Sequence, residues 1–180
     1  MNNFLNGNIH IQFDKIENIL WRDDGSTLIE FLENVIFRYP VMIPDISNIY
    51  ALVAKKGFPT DNFNQEQREI FEKNEKYVLG YIWLSKHSLN KNFSFINYID
   101  TRIKGLNLAK YMIEQYELLE KEKMLLPLEI TKEASGYWNK YFDHVYGVKT
   151  KSDLDAIIVD LDLDGEHCNI NWNNLREILP

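Results

Sequence analysis

The stretch Ile99-Asp100-Thr101-Arg102-Ile103-Lys104-Gly105-Leu106-Asn107-Leu108-Ala109 is where strand periodicity gives way to helix periodicity, and it decides the fold. Upstream, Phe93 to Ile99 (FSFINYI) has the apolar character of a strand covered on both faces. Downstream, Leu108, Tyr111, Met112, Tyr116 and Leu119 mark a long amphipathic helix, with Lys110, Glu114, Glu117 and Lys121 toward water. Between them, Gly105 lets the backbone approach a ligand closely, and Asn107 accepts a left-handed conformation better than most residues with a side chain. Ala109 keeps the first helical turn small. A strand that enters a helix through a tight loop aims the loop and first-turn amides at one spot, where the helix dipole also favours an anion. That spot suits a pyrophosphate, and Lys104 adds one positive charge to it.

Working outward, Tyr77 to Leu84 (YVLGYIWL) is apolar on both alternating faces, as a central strand is, and pairs with Phe93 to Ile99 across a polar link. Ile49 to Ala54 precedes it as another strand. Residues 57–76 are polar, with Gly57 and Pro59 and then Gln65 to Glu75, and predict a surface insertion carrying a short charged helix. Nearer the start, Ile9 to Phe13 alternates as a short strand. Thr27 and Glu30 form a capping-box pair opening a helix through Ile36, which stops before Tyr39-Pro40. Beyond the loop helix, Leu125 to Ile130 predicts a strand, and Ala134, Tyr137, Trp138, Tyr141 and Phe142 form a helical stripe. Ala156 to Leu163 alternates as a late strand with an acidic outer face, and Trp172 to Leu179 predicts a terminal helix. The class is α/β, with a largely antiparallel sheet flanked by helices.

At 180 residues the chain has the size of one domain, so a single core over 1–180 is expected. Apolar residues at 45% and charged residues at 26% are the balance of a globular protein, not of a disordered or membrane one. A net charge of -7 with no basic run argues against nucleic-acid binding and would favour a cationic acceptor such as an amine. The single cysteine, Cys168, makes no internal disulfide, and no leader or membrane span is visible, so the expected compartment is the cytoplasm.

The loop segment resembles the acyl-CoA signature of the GNAT family of N-acetyltransferases. In that pattern a strand ending in Val is followed by a basic or Gln residue and x-x-Gly-x-Gly or Ala. Ile99 stands at the valine, Lys104 at the basic residue, Asn107 at the middle glycine and Ala109 at the closing small residue. The departure is Asn107, which keeps the backbone tolerance but adds a side chain. The preceding strands and the following helix occur in the family's order. Leu125 to Ile130, with the helix containing Ala134 to Trp138, is similar to its second conserved region, with Thr131 in place of Asn and Trp138 in place of Tyr. The resemblance spans Ile49 to Leu163.

The resemblance implies a GNAT-like fold and acetyl-CoA as co-substrate. Ile99 and Thr101 would pair with the pantetheine arm, and Lys104, Gly105, Leu106, Asn107, Leu108 and Ala109 would hold the pyrophosphate. A thioester is already activated, so direct attack by a primary amine of a small molecule or peptide needs no metal and no covalent intermediate. What remains is to remove one proton from the amine and supply one to the departing thiolate. Indole cannot do the latter, so Trp138 leaves Tyr141 or Tyr137 as candidate general acids, Tyr141 being slightly favoured on helix geometry. For the general base, Asp100 or His87 acting through water are the local candidates. The rival expectation is a non-catalytic acyl-CoA-binding or protein-interaction module of the same fold. The oligomeric state stays open, a homodimer included.

Each of these features also has a plain structural alternative. Lys104 to Ala109 can be an ordinary turn before a capped helix. Tyr137, Trp138 and Tyr141 can be core packing, and Asp100 and His87 solvated loop residues. Two further patterns are set aside. Asp160-Leu-Asp162-Leu-Asp164-Gly165 copies the start of a calcium loop, but Asn171 stands where the bidentate Glu belongs. Asp164 to Arg176 resembles the tail of an HNH nuclease motif without its paired histidine, and His167-Cys168 has no partners at zinc-ligand spacing. No metal site is expected.

Overall fold

Among the described residues, five strands form one sheet in the order β1-β2-β3-β4-β5. They are β1 (Ile11–Lys15), β2 (Ile49–Lys55), β3 (Lys76–Lys86), β4 (Phe93–Thr101) and β5 (Met124–Pro127). The structure, a computed structural model, describes residues 10–19, 48–86, 93–120, 124–161, 163 and 170–180. The helices among these residues are α1 (Ile16–Ile19), α2 (Gln65–Asn74), α3 (Leu108–Leu119), α4 (Ser135–Tyr146), α5 (Lys151–Asp160) and α6 (Asn173–Ile178). The chain falls into two compact units, Met1–Leu125 and Leu126–Pro180. The architecture is mixed α/β, and the pairings β1 with β2, β2 with β3 and β3 with β4 are all antiparallel.

In the first unit, β3 is central as its two-faced apolar pattern requires. Alternate residues of β2 feed two apolar clusters. Ala51 and Val53 join Ile16, Val78, Tyr81, Trp83 and Tyr98. Leu52 and Ala54 join Phe58, Phe63, Phe71, Tyr77, Leu79, Ile103, Leu108 and Met112. The second cluster draws residues from the 57–76 segment, from the loop after β4 and from α3. Two bulges adjust the ladders. Leu52 pairs with Gly80 and Val53 with Val78, leaving Leu79 as the extra residue of β3. Trp83 pairs with Tyr98 and Leu84 with Ile96, leaving Asn97 extra in β4, where its side-chain oxygen accepts from the Ser85 hydroxyl at 3.0 Å.

The second unit is built on α4 to α6. Trp138, Phe142 and Trp172 are buried, and the Phe142 and Trp172 rings meet edge-on at 4.9 Å. The Trp172 indole donates to the Pro127 carbonyl at 2.6 Å, and Asn174 donates to the Ile130 carbonyl at 2.8 Å. Gly147, with φ 71°, closes α4 in a left-handed cap: its amide donates to Asp143 and the Val148 amide to Phe142.

Several sequence expectations need adjustment. The first strand runs Ile11–Lys15, a shift from Ile9 to Phe13, and it is registered by Ile11 opposite Ala54 and Lys15 opposite Tyr50. The strand expected over Leu125 to Ile130 stops at Pro127, which has no amide to donate; beyond it, only Glu129 forms an isolated bridge, with Asn171. Leu119, expected on the buried stripe of α3, is 59% exposed, and the stripe consists of Leu108, Met112, Ile113 and Tyr116. The largest correction is Ala156 to Leu163, where Lys151–Asp160 is helix α5 and not a strand. Thr150 and Asp153 form a capping box that starts it, and Leu154, Ile157, Ile158 and Leu161 have helical spacing. Val159, inward on the strand reading, is 66% exposed. The helix expected from Thr27 to Ile36, His87, and the aspartates at 162 and 164 with His167 and Cys168 lie outside the described residues.

Candidate functional site

The loop from Arg102 to Asn107 links β4 to α3, as expected from the switch in periodicity. Both ends are anchored by burial. Ile103 and Leu108 are 3% and 2% exposed and sit in the cluster with Phe58, Phe63 and Met112. Each such side chain is worth about 1.5–3 kcal/mol on leaving water, which offsets part of the entropy lost in ordering the loop. Between these anchors Lys104, Gly105 and Asn107 are exposed and Leu106 is half-buried.

Gly105 has φ 86° and Asn107 has φ 53°, so both adopt the left-handed region that their residue types favour. A Cβ on Gly105 would meet nothing within 4 Å, so the glycine answers to the backbone angle and not to crowding by the protein. Asn107 is the N-cap of α3, and its side chain makes no capping hydrogen bond. Its left-handed backbone turns the chain into the helix, while its carbonyl accepts from Tyr111 at 3.0 Å. The first-turn amides of α3 are therefore not closed by the side chain that most often closes them.

Arg102 fixes the start of the loop. Its amide donates to the Leu79 carbonyl at 2.9 Å, prolonging the β3 to β4 ladder past the bulge, and its guanidinium lies 5.4 Å from the centre of the Tyr81 ring. Its carbonyl accepts from the Gln67 side chain at 3.1 Å. Sequence reasoning missed Arg102, Ile103 and Gln67 as organisers of the loop. Ile103 carried a signal, as an apolar residue inside a polar turn; the Gln67 contact carried none, because it joins positions 35 apart.

Of the other predicted site residues, Ile99 is half-buried opposite Ile82, exposed Asp100 lies opposite Tyr81, and Thr101 is half-buried opposite Gly80. Ala109 is half-buried in the first turn of α3. Near it, the Tyr111 phenol is pushed above its ordinary value by burial and, secondarily, by the Glu114 carboxylate, which also meets Lys110 at 3.5 Å. Asp100 and the loop thus share one strand-to-helix connection in the first unit.

Tyr137 and Tyr141 belong to α4 in the second unit. Their rings stack at 6.2 Å with an interplanar angle of 27°, and Trp138 meets each of them edge-on at 5.2 Å. Both tyrosines are half-buried, whereas Trp138 is 4% exposed and fills the core. Trp138 therefore has a packing role at the position where the family resemblance sets tyrosine. Among the described residues, no group of three or more His, Cys, Asp and Glu side chains is placed to hold a metal ion, and no helix is long and apolar enough to cross a membrane.

No protein-family model, curated protein or solved structure matches the chain.

Proposed function

We propose that this protein is an acetyl-CoA-dependent N-acyltransferase that moves an acetyl group directly to a primary amine of a small molecule or peptide. The observation that carries this reading is the left-handed Asn107 at the start of α3, whose side chain leaves the first-turn amides uncapped beside an exposed, positive-φ Gly105. Amides presented in this way bind phosphate oxygens, and Lys104 adds charge attraction. The nine-residue length of β4, beside the four-residue β5 in the sheet order, favours an extended pantetheine arm lying along β4 near Ile99 and Thr101. An amide near Ile99 would then polarise the thioester carbonyl.

In the reaction, the neutral amine nitrogen attacks the thioester carbon, and the C–S bond breaks as the new C–N bond forms. The ammonium proton leaves through water, with Asp100 as the local acceptor, and the departing thiolate has to be protonated, a step for which the sequence offers Tyr141, before Tyr137, as the phenol to test. The second reading, a coenzyme-binding module without catalysis, is favoured by the burial of Trp138 where the family resemblance sets the proton donor. Thiol release from acetyl-CoA over a broad panel of amines separates the two. Amine-dependent release supports the transferase, and coenzyme binding without release for any amine supports the module.

A further inference from the structure

The segment 57–76 reads in the sequence as a surface insertion, yet its side chains reach the loop. Phe58, Phe63 and Phe71 share one apolar cluster with Ile103 and Leu108, the two anchors of that loop. Gln67 makes the polar link. Its backbone amide donates to the Asn64 side-chain oxygen at 2.8 Å, and its own side-chain oxygen accepts from the Asn64 amide at 2.9 Å, which completes the capping box of α2. The side-chain nitrogen is then left to donate to the Arg102 carbonyl at 3.1 Å. The amide orientation follows from these partners: flipped, it would set nitrogen against an N–H and oxygen against a carbonyl.

We propose that Gln67 is a positioning residue for the strand-to-helix loop, and that the 57–76 segment is the wall on which that loop is shaped. The two peptides that meet at Arg102 are both held, the first by its N–H on β3 and the second by its carbonyl on α2. The chain leaves these fixed peptides, buries Ile103 against the segment's phenylalanines, and only then exposes Lys104 and Gly105. Any anion on the loop is met by amides whose direction depends on those peptides.

Two substitutions separate the two ends of the Gln67 side chain. Gln67→Glu keeps an acceptor for the Asn64 amide, and adds a negative charge that a helix start favours, but has no donor for Arg102. Gln67→Lys keeps a donor and loses the acceptor. The readout is amide hydrogen exchange of the free full-length chain at Arg102 and Tyr111, whose amides are held by Leu79 and Asn107 on either side of the loop. In Gln67→Glu these amides exchange about fivefold faster, the loss of one net hydrogen bond, while the α2 amides stay as in the wild type and the melting temperature falls by no more than about 4 °C. In Gln67→Lys the α2 amides loosen and the loop amides change less. A weaker acetyl-CoA affinity in Gln67→Glu, by a similar factor, rests on the acyl-CoA reading; the exchange result does not. A loosened loop in a chain whose wild type binds no acetyl-CoA upholds the positioning role and removes only the coenzyme. Unchanged exchange at Arg102 and Tyr111 in folded Gln67→Glu, or a uniform rise across the first unit, overturns the proposal.

Discussion

A Cβ on Gly80 would stand 2.6 Å from the carbonyl oxygen of Asp100, closer than real Cβ contacts come. The missing side chain at Gly80 is what lets β3 and β4 close at the point where β4 runs into the loop, with Gly80 opposite Thr101. The Met112 side chain, from α3, fills the space above the same glycine at 3.0 Å.

Gly80→Ala should therefore destabilise the protein by about 1–3 kcal/mol, because the backbone oxygen cannot give way as a flexible side chain can. Gly136, near the start of α4, is the internal comparison, since a Cβ there meets nothing within 4 Å. Gly136→Ala should gain about 0.4–1 kcal/mol by restricting the unfolded chain. Denaturant midpoints of the two variants measure both, and a neutral Gly80→Ala would show that the strands separate there without cost.

At the loop itself, a side chain branched at Cβ should cost about 1–2 kcal/mol at Gly105 or Asn107, because both residues adopt positive φ. Asn107→Gly should change stability by only tenths of a kcal/mol. For acetyl-CoA affinity, Gly105→Val should be the more harmful change and Lys104→Gln the milder. The first bends the amide cradle, whereas the second removes one exposed and screened charge. Isothermal titration of both variants gives the comparison, and equal losses would argue against recognition by the backbone.

The acid limb of stability should report the start of α5. Asp153 is held below the usual carboxylate range, first by the Lys149 amide at 3.0 Å and then by the Thr150 hydroxyl and amide. Because its folded value is the lower one, its stabilisation is present above the ordinary carboxyl value and is lost as pH falls through the folded value. Asp153→Asn should thus be less stable than wild type near neutral pH, and the two should converge in acid. Denaturant midpoints from about pH 7 down to about pH 2 test this. A gap independent of pH would contradict the assignment.

The legible parts of the fold are those whose partners lie close in sequence or cover both faces of a strand. Tyr77 to Leu84 and the helix from Leu108 needed only periodicity, and the left-handed Asn107 followed from residue type. The late strand failed because Val159, Leu161 and Leu163 alternate with Asp160 and Asp162 while Leu154, Ile157, Ile158 and Leu161 also fit a helix. Over so short a run the two patterns overlap, and the Thr150 and Asp153 capping box was the deciding local signal. The loop's supports were illegible for a different reason. Gln67 meets Arg102, and Phe63 meets Tyr77 at 5.2 Å, only after the chain has folded back on itself.

For the chemistry, Tyr141→Phe should lower the maximal rate of acetyl transfer far more than it weakens acetyl-CoA binding, since the phenolic proton is needed only as sulfur leaves. A general acid contributes about 10²- to 10⁴-fold, or about 3–5 kcal/mol. Tyr137→Phe is the paired comparison, because the two rings stack on one another along the same helix. Rates at saturating donor and acceptor, with a direct binding titration alongside, separate the two tyrosines. Near-wild-type rates in both variants would remove tyrosine from the mechanism.

The most direct measurement is a calorimetric and thermal-shift titration of the folded wild-type chain with acetyl-CoA. Binding to the loop between β4 and α3 should release heat, and at about 100 times the dissociation constant it should stabilise the protein by about 2.7 kcal/mol. Gly105→Val should abolish or sharply weaken both signals while the variant remains folded. Neither heat nor stabilisation at millimolar acetyl-CoA would contradict the account, and the loop would then be an ordinary turn in front of a helix.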